Sequence, residues 1–381
     1  MRVIIYESSS FGGCYEYSVQ LCAGYTKNSY VKKCSLLLAK NSKCIFSGVH
    51  KILLPDIITK KNKLSRKLHF LLRTFINPFI LFFYLRNEKS SFVLFNDFEQ
   101  LSALVWVPFF KLFLRKHCFA VFLHDPDRDD YPPSKWFSGV SMKKMMSLMD
   151  FAFFHEFLPE RKYYNKNSVT KYLPLPHGIY PKETIDEILF DSLSLRKTDN
   201  QQFFSILGNI RAEKNYEPII KVLKKFPEIV LIIAGKPANS EIDTTYYKNI
   251  ASQENVDNRI IWIERYLSNE ELAAVISVSD VILLYYAKTF ASQSAILNMI
   301  APYKKNILVA NGESSLAQTT RKFEIGLLVK PDSIQCLEDG MKKIIELKNT
   351  TNPNWDKYLK FASWSNHVQI VIDALKESKG I

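Results

Sequence analysis

The fold is decided by the stretch Phe203-Phe-Ser-Ile-Leu-Gly208-Asn209-Ile-Arg211-Ala-Glu-Lys214-Asn215. Its first half is an apolar run that predicts a buried strand, and its second half is a short loop with two cations. A segment with helical periodicity over 218–226 and a second apolar run over 229–235 follow it. This order predicts a βαβ unit, in which two parallel strands flank a helix.

The two cations of this loop, Arg211 and Lys214, indicate a phosphate-binding site. Ligands of open α/β sheets lie at the carboxyl ends of the strands, which is where Gly208 and Asn209 begin the loop. Arginine offers a planar fork to phosphate oxygens, and lysine offers a point charge. The alternative is a solvated first helical turn, but the glycine and the flanking strands favour phosphate binding.

A second candidate loop, rich in small and hydroxyl side chains, follows a predicted strand over 281–285. It runs from Tyr286 to Ser294 and enters a helix, for which Ser292 or Ser294 is a plausible N-cap. The free amides of a helix N-terminus bind anions. The pattern fits an anion site and an ordinary helix cap equally well.

The first half of the chain also alternates strand-like and helix-like runs, which predicts a parallel sheet with helices on both faces. Gly12 and Gly13 follow the first strand and would let a ligand approach the backbone closely. The Gly-x-Gly-x-x-Gly fingerprint of dinucleotide binding is absent, which argues against an NAD enzyme.

His124 ends a predicted strand over 119–123 and precedes an acidic turn that starts at Asp125. A histidine in that position can donate to a ligand hydroxyl group or take part in proton transfer, and a structural role is the equal alternative. Asp125, Asp127 and Asp129 formally match an Asp-x-Asp metal motif. The nearby prolines favour an Asx-type turn instead, so we expect no metal to bind there.

The net charge of +13 lies entirely in the first half of the chain. Residues 1–185 hold 27 Lys and Arg against 14 Asp and Glu, whereas residues 186–381 hold 24 of each class. Such asymmetry indicates an anionic partner, either a membrane surface, nucleic acid or an acidic substrate, with a solvated basic face as the alternative. No recognised nucleic-acid-binding motif occurs, and we expect no nucleic-acid partner.

Residues 60–89 mix Lys and Arg with Leu and Phe, a pattern typical of a helix in the headgroup region of an anionic leaflet. A long core helix with a lysine-rich exposed flank is the alternative. The most apolar window, 75–85, is interrupted by Pro78 and falls short of the ~20 residues that span a bilayer, so no transmembrane helix is predicted.

Six cysteines without a Cys-x-x-Cys pair, and no evident signal peptide, fit a reduced cytoplasmic protein.

The length of 381 residues predicts two domains. A polar composition over 191–202 marks the natural linker. We predict a first α/β domain over 1–185, a linker over 186–202, a second α/β domain over 203–354 and an amphipathic helical segment over 355–381.

Together these motifs resemble the retaining nucleotide-sugar glycosyltransferases of family 4, which have the GT-B architecture of two Rossmann-like domains facing a cleft. The resemblance covers nearly the whole chain. It is best over 203–330, in Gly-Asn-Ile-Arg-Ala-Glu-Lys-Asn at 208–215, Ile-Ile-Ala-Gly at 232–235 and Gly-Leu-Leu-Val at 326–329. In the first half, Gly12-Gly13, His124-Asp-Pro and Pro-His177-Gly are similar to the acceptor-side turn, the cleft histidine and the interdomain strand of the family. The ending Phe361-Ala-Ser-Trp364 resembles the closing helix that crosses back onto the first domain.

The resemblance implies a role for each matched residue. Arg211 and Lys214 would bind the donor diphosphate and act as catalytic residues when it leaves the sugar. His124 would face the transferred sugar. The remaining donor-side residues would be Gly208, Asn209, Gly235, Tyr266, Tyr286, Ser292 and Ser294, and the acceptor side would include Gly12, Gly13 and Asp125. Members of this fold generally need no metal. The expected substrates are a UDP- or GDP-linked sugar and a glycan or lipid-linked acceptor.

One feature departs from the family pattern. Family members usually carry two glutamates eight positions apart after the strand equivalent to 281–285, whereas here no Asp or Glu occurs between Asp280 and Glu313. Ala291 and Met299 stand about where they would lie. The leading hypothesis is a glycosyltransferase of a surface-polysaccharide pathway, cytoplasmic and peripheral on the inner face of the cell membrane. A catalytically silent binding or scaffold protein is the alternative, and a basic nucleic-acid-binding protein is a more remote one.

Overall fold

The computed structural model describes residues 1–56, 63–129, 133–165, 169–239, 242–347, 352 and 354–379. The chain forms two compact units, one of residues 1–178 and 362–381 and the other of residues 179–361. Each unit is an α/β domain built on one parallel sheet. The basic segment predicted over 60–89 begins outside the described residues, which resume at 63.

The first unit, over its described residues, has a seven-stranded parallel sheet in the order β3-β2-β1-β4-β5-β6-β7. Its elements are β1 (Arg2–Tyr6), α1 (Gly13–Thr26), β2 (Lys33–Ala39), β3 (Val49–Leu53), α2 (Lys63–Asn87), β4 (Phe92–Phe95), α3 (Ala103–Phe113), β5 (Cys118–Leu123), α4 (Lys135–Met146), β6 (Phe151–Phe154) and β7 (Lys171–Pro174). Alternate side chains of a strand point to opposite faces of a sheet. Accordingly, Ile4 and Tyr6 enter the core with α2, α3 and α4, whereas Val3 and Ile5 enter the core with α1.

The second unit has a six-stranded parallel sheet, in the order β10-β9-β8-β11-β12-β13, among the residues described. Its elements are α5 (Glu187–Ser194), β8 (Gln202–Leu207), α6 (Tyr216–Leu223), β9 (Ile229–Ala234), α7 (Thr244–Gln253), β10 (Ile260–Ile263), α8 (Asn269–Val278), β11 (Val281–Leu284), α9 (Ala295–Ile300), β12 (Asn306–Ala310), α10 (Ser315–Phe323), β13 (Leu327–Val329), α11 (Ile334–Glu346) and α12 (Asn354–Phe361). All six residues of β9 are buried, as expected for a parallel strand covered on both faces.

Both sheets contain a topological switch point, where the strand order changes direction. It lies between β1 and β4 in the first unit and between β8 and β11 in the second. Ligands of doubly wound folds bind outside the carboxyl ends of the strands at such points. The topology therefore places the two loops that the sequence analysis selected, after β8 and after β11, on adjacent strands of the second sheet.

The segment predicted as a linker over 186–202 instead carries a helix. Asp186 caps α5 by accepting from the Leu189 amide at 2.8 Å, and its own amide donates to Glu270 O at 3.1 Å. Leu193 is buried, and α5 packs on α8 of the second unit. A short amphipathic helix has few apolar residues, so averaged composition alone does not distinguish it from a linker. The boundary between the units follows residue 178.

Helix α2 is continuous through Pro78, which corrects the prediction that this proline interrupts the apolar window. Proline cannot donate to the carbonyl four residues earlier, and the Ser102 hydroxyl donates to that carbonyl, Thr74 O, at 2.5 Å. Among the described helices, Leu64–Asn87 is long and apolar enough to cross a membrane, by length and composition only, and a third of its apolar window is buried inside the protein. Leu81 and Leu85 belong to the core of the first unit.

The C-terminal segment predicted as amphipathic helix divides between the two units. Helix α12 belongs to the second unit, where the Tyr358 hydroxyl donates to Asn298 Oδ1 at 2.5 Å. The last helix, α13 (Trp364–Lys379), belongs to the first unit, and its Val368 and Ile372 pack in the core with α1. The first unit is therefore built from both ends of the chain.

Candidate functional site

The loop after β8 is held in place by main-chain bonds to the end of β9. Gly208 opens the loop with a φ of 79°. The Ile210 amide donates to Lys236 O at 2.8 Å, and Ile210 O accepts from the Ala238 amide at 3.0 Å. A single 3-10 turn, Ala212–Lys214, then leads into α6. These bonds fix the positions of Arg211 and Lys214, the two residues predicted to bind phosphate, at the carboxyl edge of the sheet.

Lys214 is a buried cation at this edge, with only 7% of its surface exposed. Its ammonium donates to the carbonyl of Leu207, the last residue of β8. In the described part of the chain it forms no ion pair, and the nearby Glu213 carboxylate pairs with Arg211. Burial, together with the charge of Arg211, lowers the pKa of Lys214 to about 7. Because an ammonium has three donors, two remain for a ligand.

Arg211 is half-exposed and lies close to Lys214. Its guanidinium is 3.6 Å from Glu213 Oε1, and 53% of its side chain is accessible. Its charge acts on both Lys214 and the buried Tyr286, so the two cations lie in one region of the structure. A weak ion pair with an exposed carboxylate costs little to exchange for a phosphate group.

Gly208 and Gly235 bring the ends of β8 and β9 into close backbone contact. A Cβ atom on Gly235 would lie 2.2 Å from Gly208 O, and the φ of Gly235 is 154°. A Cβ on Gly208 would lie 3.0 Å from Ile296 Cδ1 and 3.4 Å from Lys214 Nζ. Both glycines are therefore required by geometry, and the adjacent Asn209 is exposed.

The loop after β11 is bonded to the cationic loop. The Ala287 amide donates to Glu213 O at 2.8 Å. Tyr286 is buried and stacks on Phe290, with ring centroids 4.0 Å apart. Its hydroxyl lies 3.1 Å from Ser294 Oγ. The structure thus brings Tyr286 and Ser294 beside the loop that carries the two cations.

Ser294 occupies the N-cap position of α9, but its side chain does not cap the helix. The hydroxyl bonds to Tyr286 instead. Helix α9 has six residues, and Ser292 precedes it in the loop, where its carbonyl accepts from the Leu316 amide at 3.3 Å. The prediction that Ser292 or Ser294 is the N-cap is therefore confirmed for Ser294 by position, although its hydroxyl bonds to Tyr286 and not to the helix amides.

No carboxylate replaces the missing family glutamates on the loop and helix after β11. Ala291 O accepts from the Ser315 amide at 3.1 Å, and Met299 lies within α9. A carboxylate that sequence reasoning missed, Asp332, lies after β13. It accepts from Asn215 Nδ2 at 2.9 Å and from the Lys288 amide at 3.2 Å. Asp332 therefore joins three of the loops at the carboxyl edge of the sheet.

Tyr266, predicted to flank the base of the donor, is 60% exposed in the loop after β10. Lys236 Nζ lies 5.7 Å from the centroid of its ring, within the range of a cation–π contact. Lys236 directly follows Gly235, whose amide donates to Ile263 O at 3.0 Å. The contact places a third cation, which the sequence analysis did not select, beside an exposed aromatic ring.

The acceptor-side glycines of the first unit lie in open surroundings. A Cβ atom on Gly12 or Gly13 would meet nothing within 4 Å among the described atoms, and Gly12 has a φ of 89°.

Glu7, at the end of β1, is fully buried and accepts from the Ser9 amide at 2.7 Å and from Asn96 Nδ2 at 2.6 Å. Burial, with the nearby Asp97 charge, raises the pKa of Glu7 to about 8.

Both ring nitrogens of His124 face other side chains. Nε2 lies 2.9 Å from Asn96 Oδ1, and Nδ1 lies 3.1 Å from His155 Nε2. Burial, with the neighbouring histidines, lowers the pKa of His124 well below its usual value. The predicted contact of a His124 nitrogen with a sugar would require one of these two bonds to break.

The acidic turn after His124 is an Asx-type turn, as predicted. The Asp129 amide donates to Asp127 Oδ1 at 3.2 Å, and the Arg161 guanidinium contacts both carboxylates. Asp125 is exposed. The next residues of the acidic stretch in the sequence, 130–132, lie outside the described residues.

Comparison with known proteins identifies the second unit. Residues 189–360 match the sequence model of a family described as glycosyl transferases group 1. The match covers nearly all of the second unit. The whole chain is also similar in fold to solved structures. Sucrose-phosphate synthase from Thermosynechococcus elongatus matches with a TM-score of 0.71 and 12% identity over 100% of both chains. WaaG, a glycosyltransferase involved in lipopolysaccharide biosynthesis, matches with a TM-score of 0.65 and 10% identity over 98% of this chain and 99% of WaaG. Anabaena HepE in complex with UDP matches with a TM-score of 0.69 and 11% identity over 99% of this chain and 100% of HepE.

These matches confirm the predicted GT-B fold of two Rossmann-like domains and the predicted class of enzyme, a glycosyltransferase. The structural likenesses establish the fold, and the group 1 match establishes the class. No curated protein sequence matches the chain significantly.

Proposed function

We propose that this glycosyltransferase moves a sugar from a nucleotide-diphosphate donor to a glycan or lipid-linked acceptor on a surface-polysaccharide pathway. Its second unit holds the donor, and its own cations, rather than a metal ion, neutralise the departing diphosphate. The observation that carries the proposal is the burial of Lys214 at the carboxyl end of β8.

A buried ammonium without a partner anion is costly, and a diphosphate would remove that cost. Desolvation disfavours the charged form of a buried lysine, and a nearby anion restores it. Lys214 has one bond to a main-chain carbonyl and a pKa lowered to about 7 by burial and by Arg211. A diphosphate in contact with both cations would gain charge-assisted bonds, which are stronger than neutral ones. The negative charge that develops on the leaving group would strengthen them further.

The neighbouring groups suit the rest of a nucleotide. The exposed ring of Tyr266, which lies beside Lys236, offers a surface on which a base can stack. The solved HepE structures hold UDP and UDP-glucose, so uridine donors are the first to test.

A donor screen tests the proposal. The purified protein is incubated with UDP- and GDP-linked sugars, with and without lipid-linked acceptor, and the release of nucleoside diphosphate is followed. We expect release with at least one donor and no change on addition of Mg²⁺ or Mn²⁺. Release that depends on either metal would overturn the metal-independent part of the proposal.

The pH dependence of donor affinity follows from the Lys214 pKa. The free-protein pKa is about 7, and a bound diphosphate would raise it, so binding takes up a proton above pH 7. We expect the affinity for UDP to stay level below pH 7 and to fall by up to about tenfold per pH unit between pH 7 and 9. Isothermal titration calorimetry at several pH values measures this. An affinity that is constant from pH 6.5 to 9 would contradict the prediction.

The first unit offers a surface suited to an anionic membrane. Helices α2 and α3 lie side by side, with the rings of Phe79 and Phe109 in edge contact at 5.6 Å. Large side chains on both helices are 42–60% exposed: Leu68, Leu72, Phe75, Phe109, Leu112 and Phe113. Lys67, Lys111 and Arg115 stand among them in the sequence. Exposed apolar groups flanked by cations are typical of helices that bind in the headgroup region, which supports a peripheral location on the inner face of the cell membrane.

Vesicle binding tests this surface. We expect sedimentation with phosphatidylglycerol-rich vesicles and little with phosphatidylcholine. The double variant Phe75→Ser/Phe113→Ser should bind at least ~10-fold more weakly, because each ring loses apolar burial. The matched control, Ile188→Ser/Leu195→Ser, changes two exposed apolar residues of the second unit and should bind like wild type. Equal loss in both variants would contradict the assignment to α2 and α3.

A second candidate function is donor binding without transfer. It is favoured by the absence of carboxylates between Asp280 and Glu313. A thermal-shift screen with nucleoside diphosphates, followed by the release assay, separates the two functions. A silent protein would be stabilised by UDP or GDP and would release no sugar from any donor.

A further inference from the structure

Four of the seven histidines of the chain gather in the first unit around one tyrosine. The ring of Tyr17 lies 4.5–5.9 Å from the rings of His124, His155, His177 and His367. The first three follow β5, β6 and β7, and the fourth lies on α13. The sequence gives no sign of this cluster, because its members are at least 22 positions apart.

The hydrogen bonds of His124 and His155 require one more proton than two neutral rings carry. Asn96 Nδ2 donates to Glu7 and to Cys14 O, which fixes Oδ1 as the Asn96 atom that faces His124 Nε2. His124 Nε2 must therefore donate. His155 Nδ1 lies 3.1 Å from the Leu175 carbonyl and must donate as well. The nitrogens that face each other at 3.1 Å, His124 Nδ1 and His155 Nε2, are then both acceptors.

A cation between these two nitrogens removes the conflict, and the third ring favours a metal ion over a proton. One ligand nitrogen from each of His124, His155 and His177 lies within 4.8 Å of the other two. A proton joins two nitrogens, whereas a metal ion joins three. Zinc binds histidine at about 2.0–2.1 Å, which places the nitrogens of a tetrahedral site about 3.4 Å apart. In the cluster, one pair of nitrogens already lies 3.1 Å apart, and the ligand nitrogens all lie within 4.8 Å of one another.

The surroundings are those of metal-binding histidines. Such rings usually donate their other nitrogen to a carbonyl or amide oxygen, which fixes the tautomer and the ring orientation. Here the acceptors are Asn96 Oδ1 for His124, Leu175 O for His155, and Gly178 O, 3.1 Å from His177 Nδ1.

We propose that His124, His155 and His177 bind one divalent transition-metal ion, with Zn²⁺ as the first candidate and a fourth position open to water or another ligand. His367 is not a ligand, because its nitrogens face Pro176 O and the Tyr17 hydroxyl. The proposal concerns the first unit alone and does not depend on donor binding by the second. It revises the sequence-based expectation that the protein holds no metal.

Metal analysis of the wild-type protein, purified without a histidine tag, tests the proposal. After removal of metal with a chelator, we expect calorimetry to show binding of one equivalent of Zn²⁺ at neutral pH. Co²⁺ should give the visible absorption of a tetrahedral site. His155→Gln should weaken Zn²⁺ binding at least ~100-fold. The control His117→Gln changes a buried histidine outside the cluster, whose Nε2 faces Leu85 O, and should leave binding unchanged.

The wild-type result is decisive even where a variant does not fold. Absence of Zn²⁺ and Co²⁺ binding by the folded wild-type protein would overturn the proposal and leave a shared proton as the bridging cation. Zinc binding that persists unchanged in folded His155→Gln and His177→Gln proteins would overturn it equally. The fold of each variant is checked by circular dichroism before titration.

Discussion

The variant Lys214→Met is expected to lower sugar transfer at least ~100-fold, by analogy with the loss of a single donor that stabilises a developing anion. The same variant should be more stable than wild type in the absence of donor. Each pKa unit by which burial depresses a lysine corresponds to about 1.4 kcal/mol, and methionine fills similar space without a charge. The pKa of Lys214 falls from 10.5 to about 7, which corresponds to about 5 kcal/mol. Loss of the bond to Leu207 O offsets part of this, so we expect a net gain in the free energy of unfolding of about 2–4 kcal/mol.

Lys305→Met is the matched control for this prediction. Lys305 is also partly buried in the second unit and donates to a main-chain carbonyl, Ser277 O, at 2.8 Å. It precedes β12 and so lies at the amino edge of the sheet, away from the two candidate loops. Its variant should transfer sugar at the wild-type rate. Equal losses of activity in the two variants, or full activity in Lys214→Met, would contradict the role given to Lys214.

The variant Gly235→Ala is expected to reduce donor affinity and transfer about as strongly as the loss of Lys214. A Cβ at this position lies 2.2 Å from Gly208 O, so the backbone of the cationic loop must move, and misplacement of a catalytic group by about 1 Å can cost 10²-fold. The positive φ of Gly235 adds strain for any other residue. Initial rates and UDP affinity measure the effect.

Gly139→Ala is the control for the glycine prediction. A Cβ on Gly139 meets no described atom within 4 Å, and the residue lies within α4, where alanine is the better helix former. This variant should have normal activity and equal or higher stability. If Gly235→Ala binds UDP as wild type does, the loop after β8 is not the donor site.

The sequence predicted the features that depend on local patterns. Apolar runs such as 203–207 and 229–234 predicted strands because parallel strands are buried on both faces, and the glycine and cations after β8 predicted the loop at the switch point. The sequence did not predict α5, whose apolar side is narrow, or the continuity of α2, which depends on the contact of Ser102 with Thr74 O.

The features that sequence reasoning missed depend on contacts between distant segments. Asp332 reaches Asn215 across 117 positions, and Ser294 bonds to Tyr286 instead of capping α9. The sequence predicted a functional role for His124 by itself, whereas its ring belongs to a cluster assembled from the ends of three strands and from α13. No local sequence pattern predicts such a cluster, because a single histidine is more often structural than functional.

If Lys214 binds the diphosphate of the donor, the binding of UDP should be accompanied by proton uptake. Calorimetric titration of UDP into the protein at pH 8, in buffers of different ionisation enthalpy, counts the protons taken up. With a free-protein pKa of about 7 and a fully charged ammonium in the complex, the expected uptake is about 0.9 proton per UDP bound. Tight binding of UDP with no proton uptake at this pH would show that Lys214 does not bind the diphosphate.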